Sequence, residues 1–537
     1  MTNSIEEIEY AQAILVAGSN TTNSHPQVAR RIYDAVDRGA KLIVIDPRRT
    51  RLARHAHVHL QIRPGTDILL LNGIMRCILD ENLIDDLFIE MRTENFIAMR
   101  DMLFKINLDE VATVTGVDLL KIKRAARFYA SAQRAVICYC MGVTQHVSGT
   151  PSVHSYANLA MLTGHVEQEF TGVDPLRGQN NVQGACDMGS LPGVFSGYQS
   201  VSDSGVRAKF EQVWNVSLPS KPGLTLLDMT HGISTNSKEK NNESQIRGMY
   251  VMGENPMLSD PGLDRVEQNL RNLDFLVVAD IFLSETATLA DVVLPAVSFA
   301  EKTGTVTNSE RRVQLMQQAI PPLSSTMSDD RIIMELSKRL GYPMDYENSA
   351  EIMEEICLLT PIYGGIYHDR LKSVHGLQWP CQNREHPGTP YLHKHSFSRG
   401  RGHFEPAEYI PPIEPVDEEY PLAMITGRGS YHHYHTGTMT RRSPSLNREL
   451  DKSLLAINPK DAQELGVRNG DKIQISSRRG SCCFFVSITE SMRQGELFSN
   501  FHFHEAPVNA LTVIDSDPKA RIPEFKICAV KAEKVSL

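Results

Sequence analysis

One short segment of this 537-residue sequence concentrates side chains that bind planar and anionic groups. It reads Arg177-Gly-Gln-Asn-Asn-Val-Gln-Gly-Ala-Cys-Asp-Met-Gly189 and carries one arginine and four side-chain amides between glycines. Amides donate and accept hydrogen bonds in one plane, which suits the edge of a fused heterocycle, and arginine offers a rigid fork for a carboxylate or oxyanion. The glycines and polar residues predict a loop. A solvated surface loop without a ligand is the alternative.

Length and composition narrow the class of protein. The length predicts three or four domain-sized units. The balance of 55 basic and 64 acidic residues, net -9, comes without a basic stripe interleaved with aromatics, which argues against a nucleic-acid partner. No apolar run approaches transmembrane length and the N-terminus carries no signal pattern, so we predict a cytoplasmic protein with no membrane segment. The nine scattered cysteines form no C-x-x-C pair, which predicts core thiols and no metal ligand in this chain.

The elements that position the segment alternate between strand-like and helix-like patterns. Short runs rich in Val and Ile predict buried parallel strands at residues 14–17, 42–45, 136–141, 249–252 and 275–278. Amphipathic stretches at residues 26–38 and 118–133 are long enough for crossover helices. This alternation predicts a doubly wound α/β architecture.

Two parts of the chain resemble one another about 235 residues apart, which indicates an internal repeat. Residues 14–20 resemble residues 249–255, residues 42–46 resemble residues 276–280, and residues 57–60 resemble residues 291–294. Because the three strand ends recur in the same order, we predict two homologous α/β units that each hold a nucleotide.

Polar and glycine residues at these strand ends fit that prediction. Gly18 and Gly253 end a strand where a close backbone approach is needed, and Asn20 and Asn255 follow them with groups that bind phosphate or sugar. Neither copy has a G-x-G-x-x-G or P-loop pattern, which disfavours an ordinary NAD or kinase-type site.

The second strand of each copy ends in an aspartate. Asp46 and Asp280 stand where an acidic residue commonly accepts from ribose hydroxyls or a guanine edge. A helix cap or a turn aspartate is the alternative. Arg48 and Arg49 add two cations that suit a diphosphate, or else form a solvated face.

The character of the sequence changes after about residue 385. Residues 393–412 are rich in Pro, Gly, Arg and His, which predicts a linker or an extended arm. Strand-like runs follow at residues 422–426, 472–476, 482–488 and 527–530 around one helix at residues 458–465, typical of a β-barrel. The predicted domains are two α/β units at 1–180 and 181–385, a linker at 386–415 and a barrel at 416–537.

The segment at 177–189, with Ala160-Met-Leu-Thr-Gly164 ahead of it, closely resembles the catalytic subunit of molybdenum- or tungsten-dependent formate dehydrogenases. These enzymes belong to the molybdopterin oxidoreductases that bind two molybdopterin guanine dinucleotides. Further motifs that resemble the family are Met141-Gly-Val-Thr-Gln145, Asp280-Ile-Phe-Leu, Ala290-Asp-Val-Val-Leu-Pro295, Glu301 with residues 304–312, His435-Thr-Gly-Thr-Met-Thr-Arg441 and Ile522-Pro-Glu-Phe-Lys526. The resemblance therefore runs along the whole chain.

The resemblance implies a fold and a set of cofactor contacts. In that family two similar α/β units, related by a pseudo-twofold axis, each carry one dinucleotide arm, and a double-psi type barrel caps the cofactor. The implied cofactor-binding residues are Gly18, Asn20, Asp46, Arg48, Gly142, Gln145, Gln179, Gly253, Asn255, Asp280, Asp291, His435, Thr436, Thr438, Asn509 and Lys526. His432 and His433 remain alternatives to His435, because the segment from Arg428 to Met439 is one residue longer than the pattern.

The implied activity is oxidation of formate to carbon dioxide. Arg177 would hold the formate carboxylate, while the molybdenum or tungsten cofactor accepts hydrogen and electrons. Iron-sulfur or flavin subunits would take the electrons onward. A related enzyme such as a nitrate reductase, and a non-catalytic scaffold that keeps the fold without metal, are the alternatives.

The sequence departs from the family at its start. Family members carry an N-terminal iron-sulfur domain and then a loop whose cysteine or selenocysteine ligates the metal, followed by a histidine; residues 1–537 contain neither. We hypothesise that this chain is the downstream portion of a longer enzyme whose in-frame UGA encodes selenocysteine; the upstream DNA tests this. Residues 298–314, which would pack on the iron-sulfur domain, are then expected to be exposed or disordered.

Overall fold

Short runs of Val, Ile and Leu build a parallel sheet near the N-terminus of the chain, which the computed structural model describes over residues 1–233, 246–429 and 432–535. The strands up to residue 178 are β1 (Ala13–Ala17), β2 (Lys41–Ile45), β3 (Val58–Leu60), β4 (Thr93–Glu94), β5 (Ala135–Tyr139) and β6 (Gly172–Pro175). The helices are α1 (Thr21–Ser24), α2 (Pro26–Asp37), α3 (Asp67–Asp80), α4 (Asp86–Arg92), α5 (Phe96–Leu103), α6 (Leu108–Thr115), α7 (Leu119–Ala130), α8 (Met141–Thr144) and α9 (Gly149–Leu162).

Five of these strands pair in parallel in the order β3-β2-β1-β5-β6. Alternate residues of β1 point to opposite faces, so Ala13 and Leu15 lie in a core with α3, α7 and α9, while Ile14 and Val16 lie in a second core with α2. Because both faces are covered, the strands read as continuous apolar runs. The predicted doubly wound α/β architecture is confirmed.

The second copy of the repeat forms a smaller parallel sheet. The strands between residues 179 and 390 are β7 (Val194–Phe195), β8 (Gln199–Ser200), β9 (Gly248–Met252), β10 (Phe275–Asp280), β11 (Val292–Pro295), β12 (Gly304–Thr307), β13 (Arg312–Met316) and β14 (Leu377–Gln378). The helices are α10 (Val182–Asp187), α11 (Ser204–Trp214), α12 (Leu226–His231), α13 (Pro256–Ser259), α14 (Leu263–Arg271), α15 (Asp329–Arg339), α16 (Ser349–Leu359) and α17 (His368–Ser373). The order β11-β10-β9 reproduces β3-β2-β1, which confirms the repeat in the topology.

The expectation for residues 298–314 is wrong in its main part. The segment is ordered as β12 and β13, which pair antiparallel, and Arg311 between them is only 1% exposed. The Arg311 guanidinium donates to the backbone carbonyls of Trp379, Thr389 and Pro390, so this cation is buried against a loop of the same unit. The residues of the segment that do face solvent are Phe299, at 59% exposed, Thr303 and Gln314.

A closed barrel forms the C-terminal part of the chain. Its region contains β15 (Gly402–His403), β16 (Leu422–Gly427), β17 (Leu454–Ile457), β18 (Lys472–Ser476), β19 (Ser481–Ile488), β20 (Glu496–Asn500), β21 (Cys528–Lys534), α18 (Pro444–Glu449) and α19 (Pro459–Glu464). Six strands close in the order β16-β20-β17-β19-β18-β21, with a continuous apolar interior. The predicted barrel is confirmed, and Asn458 caps α19 by accepting from the Lys460 N–H at 2.9 Å.

The Pro- and Gly-rich segment before the barrel runs as a packed arm. Its strand β15 pairs in parallel with β4. The amides of Asn72 and Asn158 donate to the carbonyls of Ala407 and Glu405 at 2.9 and 2.7 Å, and Phe404 is fully buried. Hydrogen bonds to the backbone hold the arm where its sequence has no apolar periodicity.

The chain divides into two compact units. Unit 1 comprises residues 1–178, 258–263 and 391 onward, and unit 2 comprises residues 179–257 and 264–390. In the described ranges, no helix combines the length and the apolar character needed to cross a membrane.

Candidate functional site

Two glycines meet at the carboxyl edge of the unit 1 sheet, Gly18 in the loop after β1 and Gly142 in the short helix α8 after β5. Gly18 has a φ of +54°, and its N–H donates to the Ile45 carbonyl at 2.9 Å. A Cβ on Gly18 would lie 2.7 Å from the backbone of Gly142, whose N–H donates to the Gly18 carbonyl at 3.0 Å. Only glycines allow this approach. Asn20 and Gln145 follow them at the same edge, where ligands bind in open α/β sheets.

Asp46 and Arg48 lie together after β2. The Asp46 carboxylate accepts from the Arg48 backbone N–H at 2.8 Å, which is the hydrogen bond of a turn aspartate. The residue also lies at the end of β2, where the sequence predicts a ligand contact. The carboxyl is 4% exposed, and burial raises its pKa, while the Arg48 charge lowers it. The Arg48 guanidinium stands 3.7 Å from the ring centroid of Phe498, a cation–π contact with the barrel. A cation whose side chain is only 16% exposed is thereby fixed beside the strand ends.

Lys526 is a second cation of unit 1, and it is buried. It is 9% exposed and reaches this region from the barrel, where its backbone N–H donates to the Gln145 carbonyl at 3.3 Å. Burial lowers the pKa of the Lys526 amine to about 8; nearby Cys140 raises it and the Arg48 charge lowers it further. Burial also lowers the pKa of Arg48. Two cations held close together and away from water favour a polyanionic ligand such as a diphosphate.

Arg177 follows β6 at the same edge of the sheet and is half-buried. Burial raises the pKa of the Tyr139 hydroxyl at the end of β5 to about 12, although the Arg177 charge lowers it, which places this arginine near the carboxyl end of β5. Gln179 begins unit 2 two residues later. Arg177 is therefore a cation of the unit 1 sheet edge.

The predicted loop is wrong for the second half of the segment at 177–189, where Val182–Asp187 forms α10. Gly184 disfavours a helix, but tertiary hydrogen bonds override this local preference. Asn181 accepts from the Thr307 N–H at 2.9 Å. The fully buried Asp187 carboxylate accepts from the Tyr363 hydroxyl at 2.6 Å and the Trp379 indole at 2.7 Å. The helix is therefore anchored from both ends within unit 2.

The barrel brings His435, Thr436 and Thr438 into one loop after β16. His435 has a φ of +49°, uncommon for a residue with a side chain, and burial lowers the pKa of its imidazole to about 4, helped by Arg428. The Thr436 and Thr438 hydroxyls lie 3.1 Å apart. This loop presents neutral hydrogen-bonding groups close to Arg428.

The structure separates the three candidate histidines. His433 is 2% exposed, and its Nε2 contacts the Leu450 carbonyl at 2.7 Å, a structural role. His432 and His435 are both half-buried. We therefore favour these two over His433 for a ligand contact.

Asn509 binds the backbone of a neighbouring segment in unit 1. Its amide donates to the carbonyls of Leu258 and Ser259 at 3.0 and 2.9 Å, and the residue is 5% exposed. The side chain thus fixes the segment at 258–263, and any ligand contact has to use its carbonyl oxygen.

Unit 2 repeats the geometry of the strand ends. Gly253 has a φ of +63° and donates to the Ala279 carbonyl at 2.8 Å, the equivalent of Gly18 and Ile45. Asp280 accepts from the Phe282 N–H at 3.3 Å, two residues further along the chain, as Asp46 does from the Arg48 N–H. Asn255 is 5% exposed and accepts from the Thr286 hydroxyl at 2.8 Å. The two copies therefore agree in backbone conformation as well as in order.

Asp291 lies at the other edge of the unit 2 sheet. Its carboxylate accepts from the Leu276 N–H at 2.7 Å, near the start of β10, whereas Gly253 and Asp280 follow strand ends. Nucleotides bind at the carboxyl ends of parallel strands. Asp291 accordingly joins two strand starts and is not part of the site proposed below.

Sequence reasoning missed two residues that shape this region. Phe498 in β20 stacks under Arg48. Glu524 is 1% exposed and lies 3.4 Å from the His146 ring nitrogen, while its other oxygen accepts from the Ile413 N–H at 3.1 Å. Phe498 has no sequence signal, but Glu524 could have been found because it stands two residues before Lys526.

Comparison with known families decides the class of protein. The family described as "Molybdopterin oxidoreductase" matches residues 1–339, and the "Molydopterin dinucleotide binding domain" matches residues 422–529. The chain belongs to the molybdopterin oxidoreductase family. The resemblance noted in the sequence is confirmed at this level.

Its relatives include formate dehydrogenases. "F420-dependent formate dehydrogenase subunit alpha" of Methanocaldococcus jannaschii is 48% identical over 539 residues, which is 100% of this chain and 78% of the relative. "Formate dehydrogenase H" of Escherichia coli is 36% identical over 542 residues, which is 100% of this chain and 74% of the relative. Among solved structures, "Acetylene Hydratase from Pelobacter acetylenicus" superposes with a TM-score of 0.76 at 18% identity, covering 99% of this chain and 81% of that one. The last likeness shows the fold.

The residues of unit 1 fit the cofactor of the molybdopterin oxidoreductases. Two cations, the partly buried Arg48 and the buried Lys526, match its phosphates, and the side-chain-free surface at Gly18 and Gly142 admits a close backbone contact. Within residues 1–233, 246–429 and 432–535, no group of three or more His, Cys, Asp or Glu side chains is placed to hold a metal ion.

Proposed function

We propose that this molybdopterin oxidoreductase chain is the catalytic part of a formate dehydrogenase, which oxidises formate to carbon dioxide at a bis-molybdopterin guanine dinucleotide centre with molybdenum or tungsten. The observation that carries the proposal is Arg177, an arginine held at the carboxyl edge of the unit 1 sheet where buried cations already favour an anionic cofactor. The names of the relatives support formate as the substrate.

Each α/β unit would hold one arm of the cofactor. In unit 1 the proposed contacts are Gly18, Asn20, Asp46, Arg48, Gly142 and Gln145, with His435, Thr436, Thr438, Asn509 and Lys526 from the barrel. In unit 2 they are Gln179, Gly253, Asn255 and Asp280. The glycines admit the dinucleotide to the backbone, Arg48 and Lys526 neutralise phosphate, and Asp46 and Asp280 accept from ribose or guanine. When bound, the cofactor supplies the acceptor for hydrogen and electrons.

Arg177 would position the substrate. Formate is a small carboxylate, and the guanidinium fork binds a carboxylate through two parallel hydrogen bonds, which fixes the direction of the C–H bond. A fixed direction lowers the barrier by converting a random encounter into an oriented one. Arg177 is half-buried, and the part of its side chain that is shielded from water would bind an anion more strongly than an exposed arginine. We further propose that iron-sulfur or flavin subunits carry the electrons away.

Replacing Arg177 by lysine tests the proposal. Arg177→Lys keeps the charge but loses the fork, so we expect kcat/KM for formate to fall by ~10–100-fold, with viologen dye as electron acceptor. Arg207→Lys is the control, because Arg207 binds a backbone carbonyl within unit 2. The enzyme is expressed in a cofactor-competent host with any coding sequence that precedes it in frame.

Cofactor analysis of the same preparation separates the alternatives. Metal analysis and pterin fluorescence should both be positive. A protein that lacks metal and pterin would favour the scaffold, and one that holds both but is not reduced by formate would favour a related enzyme such as a nitrate reductase.

A further inference from the structure

Two side chains hold the backbone of Arg177 and Gly178 from different parts of unit 1. The His25 Nε2 lies 2.6 Å from the Arg177 carbonyl oxygen. The Tyr434 hydroxyl donates to the Gly178 carbonyl at 2.7 Å. Two adjacent peptide groups of the segment are thus tied by side chains distant in sequence.

The chemistry of the first contact fixes the state of His25. A carbonyl oxygen only accepts hydrogen bonds, so the Nε2 of His25 must carry a proton and donate. Burial lowers the pKa of His25, the hydrogen bond to the Arg177 carbonyl raises it, and the Arg428 charge lowers it again; the net lowering favours the neutral ring, in which Nδ1 carries no proton. Nδ1 is buried and has no hydrogen-bond partner within the described part of the chain. The neutral tautomer is therefore set by the contact with Arg177.

The two segments that supply these side chains are also joined to each other. His25 directly precedes α2, and Tyr434 lies in the loop after β16. The Asn23 amide donates to the Gly429 carbonyl at 3.2 Å, and the Arg428 guanidinium lies 4.3 Å from the ring centroid of Tyr434. The contacts therefore form a connected network around Arg177.

We propose that His25 and Tyr434 are positioning residues for Arg177, which set the direction in which its guanidinium is presented to a small carboxylate. The proposal rests on the proposed function, since Arg177 is the substrate anchor only if the enzyme oxidises formate. Neither residue touches the substrate. Each acts through the backbone of the arginine, where a shift of about an ångström is costly for an oriented reaction.

Four variants test the network. Tyr434→Phe removes one hydroxyl, and His25→Leu removes one donor. His25→Gln keeps an N–H donor on a side chain of similar reach and is expected to restore the contact in part. Tyr342→Phe is the matched control, because the Tyr342 hydroxyl donates to the Trp214 carbonyl at 2.9 Å in unit 2.

Hydrogen exchange gives a readout that needs no turnover. In the chain as purified, we expect amide exchange in the peptide that contains Arg177 and Gly178 to become about tenfold faster in Tyr434→Phe and His25→Leu. The control and His25→Gln should remain within about twofold of the original protein. Unchanged exchange in both loss variants would overturn the proposal.

Kinetics then separate positioning from local stability. In the cofactor-loaded enzyme, kcat/KM for formate should fall about tenfold in Tyr434→Phe and in His25→Leu, with recovery in His25→Gln. Faster exchange with unchanged kinetics would overturn the positioning role. If the original enzyme does not oxidise formate, the proposed function fails, and the exchange measurement alone decides whether the two side chains order Arg177.

Discussion

At the scale of the residue, the buried charge of Lys526 destabilises the cofactor-free chain but would stabilise the complex with an anionic cofactor. A lysine that is 9% exposed loses its hydration, which is why burial lowers its pKa to about 8. An anionic phosphate would offset that loss. The same residue is therefore unfavourable for the cofactor-free chain and favourable for the loaded one.

Replacing this lysine should reduce cofactor retention without reducing the thermal stability of the cofactor-free chain. For Lys526→Met we expect pterin content to fall about tenfold, because a buried charge pair with phosphate is lost. The cofactor-free chain should keep or gain thermal stability. Pterin fluorescence and the melting temperature measure the two effects. Lys531→Met, on the 40% exposed Lys531 of β21, is the control, and normal pterin content in Lys526→Met would contradict the prediction.

Glu496 should make stability depend on pH. It is 5% exposed in β20, and burial raises its pKa from 4.5 to about 8, although Arg493 and Arg63 lower it. Because the pKa is higher in the folded state, this contribution to stability is complete below pH 4.5 and is lost as the pH rises through about 8.

Glu496→Gln should remove this dependence. At pH 8.5 we expect the variant to gain on the order of 2–4 kcal/mol in the free energy of unfolding, and much less at pH 5. Urea unfolding at the two pH values measures the difference. Glu464→Gln, at an exposed position in α19, is the control. Equal gains at both pH values would show that packing, and not the proton, is responsible.

At the scale of the element, the same glycine conformation has two different causes. Gly18 and Gly253 both follow the first strand of their sheet with a positive φ, but a Cβ would meet the Gly142 backbone only at Gly18. At Gly253 no atom of the residues that the structure describes lies within 4 Å of that position. The repeat has therefore kept the turn in both units, and the close loop contact is a feature of Gly18.

This difference predicts that a glycine-to-alanine substitution lowers the free energy of unfolding more at Gly18 than at Gly253. Gly253→Ala should cost about 1–2 kcal/mol through its backbone conformation alone. Gly18→Ala should cost ~3–5 kcal/mol, because the loop after β5 must also move. Calorimetry of the cofactor-free chain measures both. Similar costs at the two positions would argue that the contact between Gly18 and Gly142 is loose.

The elements that sequence predicts well are those with a local signal. Val and Ile runs predict β1 and β2 because these strands are buried on both faces or nearly so. The same type of run predicts β10, which is half-buried or buried beyond Phe275, and β9, in which only Val251 is buried. The barrel strand β20 was missed because it contains Glu496, Ser499 and Asn500, polar residues that are buried there by tertiary pairing.

The site is predictable only to the extent that it lies at strand ends. Gly18 and Asp46 follow from the pattern, because a parallel sheet places strand ends at one edge. The repeat also pointed to Asp291, which matches His57. Sequence similarity does not distinguish the start of a strand from its end, so it could not predict that Asp291 lies at the edge of the sheet opposite Gly253 and Asp280. Phe498 under Arg48 requires knowledge of how the barrel packs, which no local pattern contains.

At the scale of the whole molecule, the repeat predicts a stoichiometry. Two sheets of the same order, each with a left-handed glycine and a turn aspartate, should each hold one guanine dinucleotide. Acid hydrolysis of the loaded enzyme should therefore release about two GMP per metal ion. A ratio near one would mean that a single unit binds nucleotide.

The strand order of the barrel also bears on how the enzyme is made. β21 closes the barrel by pairing with β16 and β18, and Lys526 lies two residues before it. A ribosome has to translate the barrel strands β16 to β20 before it reaches Lys526, which then packs against Gln145. The cofactor could be inserted either during translation or after the barrel has closed. Only the closed barrel has Lys526 in place, so we expect insertion after the barrel has folded.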